Sequence, residues 1–104
     1  MSASVHRVSA ALLLLVAAGC DDTYERGQAA HQQIRPGMTW SEVVAVAESH
    51  PQASLRCTEP ARASTPPCYR AYFGVQGSVS EYGFTLQMGA DGRVYSVGSL
   101  EYLD

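Results

Sequence analysis

Four side chains in the middle of this chain are of types that could do chemistry: His31, His50, Cys57 and Cys68. Cys57 and His50 can be drawn as a thiol and its general base. Cys57 can instead bond to Cys68, and a free thiol or a metal site are the rival states of that cysteine pair. Thr58 to Pro67, between the cysteines, supply neither a CxxC nor a histidine, which removes the usual zinc spacings. His31 falls on a polar helical stretch. His50 precedes a proline at a helix end, where an imidazole can bond terminal carbonyls and meet the helix dipole. No Gly-x-Gly phosphate loop occurs, and Gly77 and Gly92 fall where turns are expected. Glu81, Asp91 and Glu101 are spread along the strand region with no apolar pocket to raise a carboxyl pKa. The pattern assigns no catalytic residue, no metal ligand and no cofactor, and a non-enzyme is the expectation.

The third cysteine, Cys20, closes a different pattern. Arg7 precedes an apolar run from Val8 to Val16, and Ala17-Ala18-Gly19 stand directly before Cys20. A charged start, a short apolar stretch and small residues before the cut are the parts of a secretory signal. This ending resembles the bacterial lipobox, with Ala17 where leucine is commonest. The resemblance implies that Cys20 is thioether-linked to diacylglycerol as the first residue of the mature protein. Each buried CH₂ of its acyl chains would contribute roughly 0.8 kcal/mol of anchoring. An ordinary cleaved signal is the alternative, and the run is well short of the ~20 apolar residues a transmembrane helix needs. The expected division is a signal peptide over 1–19, a lipidated tether over 20–23 and one domain over 24–104. Asp21, directly after the cysteine, resembles an inner-membrane retention signal of enteric bacteria. The outer membrane, facing the periplasm, is the favoured location and the inner membrane the alternative.

Export also bears on the other two cysteines. With Cys20 given to lipid, an odd count becomes even, and an oxidising periplasm favours a Cys57–Cys68 disulfide in a domain this small. The whole chain carries a net charge of -3, contains no lysine and scatters its arginines. That leaves no basic footprint for nucleic acid and no polybasic patch to supplement a lipid.

The elements that must position these residues follow from periodicity. Tyr24 to Ile34 reads as a weakly amphipathic helix with Gly27, Ala30 and Ile34 on one face, ended by Pro36-Gly37. Thr39 and Glu42 form a capping box with Met38 and Val43 as a hydrophobic staple, so a second helix begins at Trp40. It carries Val43, Val44, Val46 and Ala47 toward a core and stops at His50, before Pro51. Gln52 to Pro67 reads as a loop stapled at its ends. Tyr69 to Val75 and Tyr82 to Met88 alternate with period two, and Arg93 to Ser99 makes a third strand after a Gly89-Ala90-Asp91-Gly92 turn. The expected fold is α+β, with two short N-terminal helices packed on one face of a three-stranded antiparallel sheet (ααβββ).

The phrase Ile34-Arg35-Pro36-Gly37-Met38-Thr39-Trp40-Ser41-Glu42-Val43, then His50-Pro51, then three strands with an Asp91-Gly92 turn, resembles the BamE (SmpA/OmlA) lipoproteins. Ser49-His50-Pro51 stands where that family closes its helix with Gly-x-Pro. The resemblance covers most of the mature chain, though its sharp motif is only about ten residues and encodes a turn, a cap and a staple. It is similar, more widely, to ααβββ domains of the beta-lactamase-inhibitor (BLIP-like) type. What it implies is protein recognition in the envelope, with the barrel-assembly machinery as the implied partner. The other reading is an inhibitor-type module that blocks a periplasmic or foreign enzyme. No small-molecule substrate is evident. On the expected register Arg70 and Tyr72 point to solvent, opposite Phe73, and Tyr95 joins them if its side chain lies on the same face. Tyrosine and arginine suit an interface, while cross-strand packing is the competing use of the same side chains. Trp40 reads as a lid on the core.

Overall fold

The computed structural model describes residues 22–60 and 68–103. Helix α1 spans Thr23–Gln33 and α2 spans Trp40–Ser49. Five strands follow: β1, Ala53–Pro60; β2, Cys68–Gln76; β3, Glu81–Met88; β4, Val94–Val97; and β5, Glu101–Leu103.

The capping box forms as its sequence predicts. Thr39 Oγ1 accepts from the Glu42 amide at 3.3 Å, and Glu42 Oε1 accepts from the Thr39 amide at 2.9 Å. Two orphan amides at the start of α2 are thereby satisfied. Helix α1 has no such cap. Asp22, at its N-cap position, instead pairs with Arg26 one turn on at 2.9 Å.

The three-stranded ααβββ expectation is corrected here. The sheet has five strands, all antiparallel, in the order β1-β2-β3-β4, and β5 also pairs with β3. The first new strand lies inside the stretch expected to be a loop. There Ala53, Leu55 and Cys57 alternate with Ser54, Arg56 and Thr58, and β2 supplies the pairing partner that so polar a strand needs. The second, β5, is three residues long and pairs Glu101 with Gly83, Tyr102 with Tyr82 and Leu103 with Glu81. It takes the part of the β3 edge that β4 leaves, because β4 meets only Leu86 to Met88. The third expected strand shortens to Val94–Val97, while Arg93 makes an isolated bridge with Thr39.

The helices do not form a paired layer over three strands either. Helix α1 lies against β2 and β3, and α2 against β1. Gly27 makes the approach of α1 possible, since a Cβ there would meet Tyr82 Cβ at 3.1 Å. Between the helices the chain is pinned to β4: the Gly37 amide donates to Val94 O at 2.8 Å and the Val94 amide to Met38 O at 2.7 Å. Gly37 holds φ of 95°, a left-handed geometry that glycine adopts without steric cost. The buried cluster joins Ala30, Ile34, Val43 and Ala47 of the helical region to Phe73, Val75, Phe84, Leu86, Met88 and Val94 of the sheet. Phe73 and Phe84 stack at 5.0 Å. Trp40 packs against this cluster, consistent with a lid.

Candidate functional site

The alternation that buries Ala71, Phe73 and Val75 turns Arg70, Tyr72 and Gly74 of β2 to the other side of the sheet. Across β3 their partners are Gln87, Thr85 and Gly83. Gly74 and Gly83 thus face each other across two strands, and Tyr72 lies over both. A Cβ on Gly74 would come within 2.8 Å of Tyr72 Cε1, and a Cβ on Gly83 would run into the Tyr72 ring and hydroxyl. The tyrosine supplies the side-chain surface that the glycines lack, as aromatic neighbours of strand glycines do. Its hydroxyl donates to Glu81 Oε2 at 2.6 Å, and the Arg56 guanidinium sits 5.6 Å from its ring centroid. Partial burial of the phenol, then its bond to Glu81 and the charge of that carboxylate, push the Tyr72 pKa well above its ordinary value.

Tyr72 is therefore on the side of the sheet opposite Phe73, half-buried and engaged with its neighbours. Arg70 is exposed and spans Glu59 of β1, with Nη1 and Oε2 at 3.2 Å, and its guanidinium lies 5.8 Å from the Tyr69 ring centroid. Tyr95 occupies the register break between β3 and β4 and is 70 % exposed. A bulge re-aims the side chain it carries, which is why alternation could not assign Tyr95 to a face.

Cys57 and Cys68 are disulfide-bonded, with Cα atoms 5.7 Å apart. The bond was expected to fasten a loop between helix and sheet; it links two neighbouring strands. Register breaks between Cys57 and Glu59 and between Glu59 and Pro60 bring the two residues together although neither is the other's direct partner. With Cys57 in a disulfide, the thiol–imidazole alternative loses its nucleophile. His50 Nε2 donates instead to Gln33 Oε1 at 2.9 Å. His31 Nε2 donates to Gly98 O at 2.8 Å, and its ring meets Phe84 edge-on at 4.7 Å.

The carboxylates do not converge. Glu81 holds Tyr72, Asp91 Oδ1 accepts from the Arg93 amide at 3.1 Å within its turn, and Glu101 is exposed on β5. Glu42 is exposed as well, and the Thr39 amide and hydroxyl, with a contribution from Arg93, hold its carboxyl below the ordinary value. Among the described residues no three His, Cys, Asp or Glu side chains are grouped to hold a metal ion. No helix among them is long and apolar enough to cross a membrane. Cys20 and the signal over 1–19 lie outside the described residues.

The sequence reading missed Gly74, Gly83, Glu81 and Arg56 as members of the Tyr72 arrangement. A signal existed, because an isolated glycine inside a strand marks close approach, and two of them stand at equivalent positions of consecutive strands. Comparison with known proteins finds no matching family model, curated protein or solved structure.

Proposed function

We propose that this chain is a bacterial lipoprotein, anchored through Cys20, whose periplasmic domain binds another envelope protein as a BamE-like accessory in outer-membrane assembly or envelope integrity. The observation that carries the reading is the run from Arg7 to Cys20, which combines the parts of a signal with small residues before a cysteine. Arg70, on the sheet face that carries Tyr72, and Tyr95, at the β3–β4 register break, are exposed side chains suited to a partner. Tyr72 lies beside Arg70 on that face, held over Gly74 and Gly83 by its bond to Glu81.

Two measurements on the full chain in its own host test this. The mass of the mature protein reports diacylglycerol on Cys20, and Cys20→Ala should abolish it. Cross-linking in intact cells followed by mass spectrometry should recover the barrel-assembly machinery, and Arg70→Glu with Tyr95→Ala should reduce that recovery. Recovery of a lone hydrolase would move the reading to an inhibitor-type module. An unmodified Cys20 would remove the lipoprotein reading itself.

A further inference from the structure

The two margins of the sheet differ. On one margin β4 is capped by Gly37 to Thr39, through the Gly37 and Val94 amides and the Thr39–Arg93 bridge. On the other, β1 is an edge eight residues long, and no described strand pairs with its far side. Proteins usually blunt such an edge. The second half of β1 is blunted by two register breaks and Pro60, whereas the first half, Ala53 to Arg56, keeps a regular register.

The direction of the backbone groups follows from one bond. The Gln76 amide donates to Gln52 O at 3.0 Å. In an antiparallel pair the bonding residues alternate, so with the Gln52 carbonyl on β2, Ser54 and Arg56 turn their amides and carbonyls toward β2 as well. Ala53 and Leu55 turn theirs outward. The Ala53 amide is taken by His50 O at 3.3 Å. Leu55 is then the residue at the middle of the regular edge that presents both a donor and an acceptor outward. Its side chain, partly buried against the core, lines an open groove of about 270 Å³ with Ala53 and with Val44, Ala47 and Glu48 of α2.

We propose that this edge pairs with the same edge of a second copy of the chain, antiparallel, about a two-fold axis at Leu55. The Leu55 amide and carbonyl of each copy bond reciprocally, and the two sheets become one. Ala53 stands opposite Cys57 on the inner side, so the mouths of the two apolar grooves meet. On the outer side Ser54 stands opposite Arg56 of the second copy. The charge pattern selects this register: an axis one residue further on, at Arg56, would set two guanidinium groups side by side, which is destabilising. An axis one residue back, at Ser54, would give up the reciprocal Leu55 pair, because each Leu55 would then face an Ala53 whose amide is already bonded to His50. This pairing is independent of the lipid and partner readings above.

Leu55→Cys in the full chain tests it. Opposed bonding residues have Cα atoms about 5.5 Å apart, within disulfide reach, so the variant should run as a covalent dimer on non-reducing gels. Thr85→Cys, exposed on β3 within the sheet, should not. Peptide mass mapping verifies that the linkage is Leu55→Cys to Leu55→Cys, with Cys57–Cys68 intact. Adding Ser54→Arg places a guanidinium opposite Arg56 at two symmetric positions and should lower the dimer population about fivefold. The further change Arg56→Ser should restore it. Cross-linking no greater for Leu55→Cys than for Thr85→Cys, or a dimer indifferent to Ser54→Arg, would overturn the proposal.

Discussion

Replacing Gly83 by alanine should destabilise the domain by about 2 kcal/mol, even though alanine in a strand interior is favoured over glycine by roughly 0.5–1 kcal/mol. The added methyl would occupy the space of the Tyr72 ring and hydroxyl. The ring must lift off the glycine pair, and the 2.6 Å bond from the Tyr72 hydroxyl to Glu81 breaks with it. A hydrogen bond to a charged group contributes about 1.5–3 kcal/mol. Re-exposing part of the ring, on the order of 40 Å² at about 25 cal/mol per Å², costs about 1 kcal/mol more. The intrinsic gain of alanine offsets roughly a third of this loss. Urea unfolding should show the deficit, and thermal unfolding a fall of about 10 °C for a domain of this size. The decisive comparison is a double-mutant cycle with Tyr72→Ala. With the ring absent, the three atoms nearest the added methyl are gone, and Gly83→Ala should become neutral or stabilising by up to about 1 kcal/mol. An equal cost for Gly83→Ala in both backgrounds would refute the account, because the strain would then lie in the strand backbone.

Three other measurements bear on the same framework. Reduction, or the double variant Cys57→Ser/Cys68→Ser, should remove about 3 kcal/mol on the chain-entropy estimate for so short a loop, seen as a lower urea midpoint that reductant no longer shifts in the variant. Thr39→Ala should cost about 1 kcal/mol through the lost cap of α2. The share carried by Glu42, whose carboxyl is held below 4.5, is present above that value and fades as pH falls through the folded pKa, so the variant's acid limb should be shallower. Tyr72 runs the other way: its folded pKa lies above 10.0, so its contribution is complete below pH 10 and is lost as pH rises through the folded pKa. Tyr72→Phe should flatten the alkaline decline in stability, and an unchanged decline would show that the Glu81 contact does not hold the phenol.

Local signals were legible where the interacting groups are neighbours in sequence. Thr39 and Glu42 are three residues apart and need only one another's backbone, so the capping box could be written down from the sequence and is found at hydrogen-bond distance. The apolar rows of β2 and β3 were readable for the same reason, since a half-buried strand must alternate wherever it lies. The sequence by itself also determined that Gly27, Ala30 and Ile34 share a buried face of the first helical stretch. It marked Cys57 and Cys68 as candidates for each other, by the chemistry of an exported chain.

Tertiary structure alone decided the rest. On its inner side β1 carries one large apolar residue, Leu55, between Ala53 and Cys57, too little apolar surface to announce a strand, and it exists because β2 offers it a ladder. β5 is a strand only because β4 stops short along β3. Tyr72 alternates outward like Arg70, and its local sequence does not separate the two. What separates them is a pair of glycines on different strands, beneath one ring and beside one carboxylate. Periodicity states which side of a strand a residue takes, because that depends on its own backbone. What waits on that side depends on strand order and register, which are set by contacts far apart in sequence.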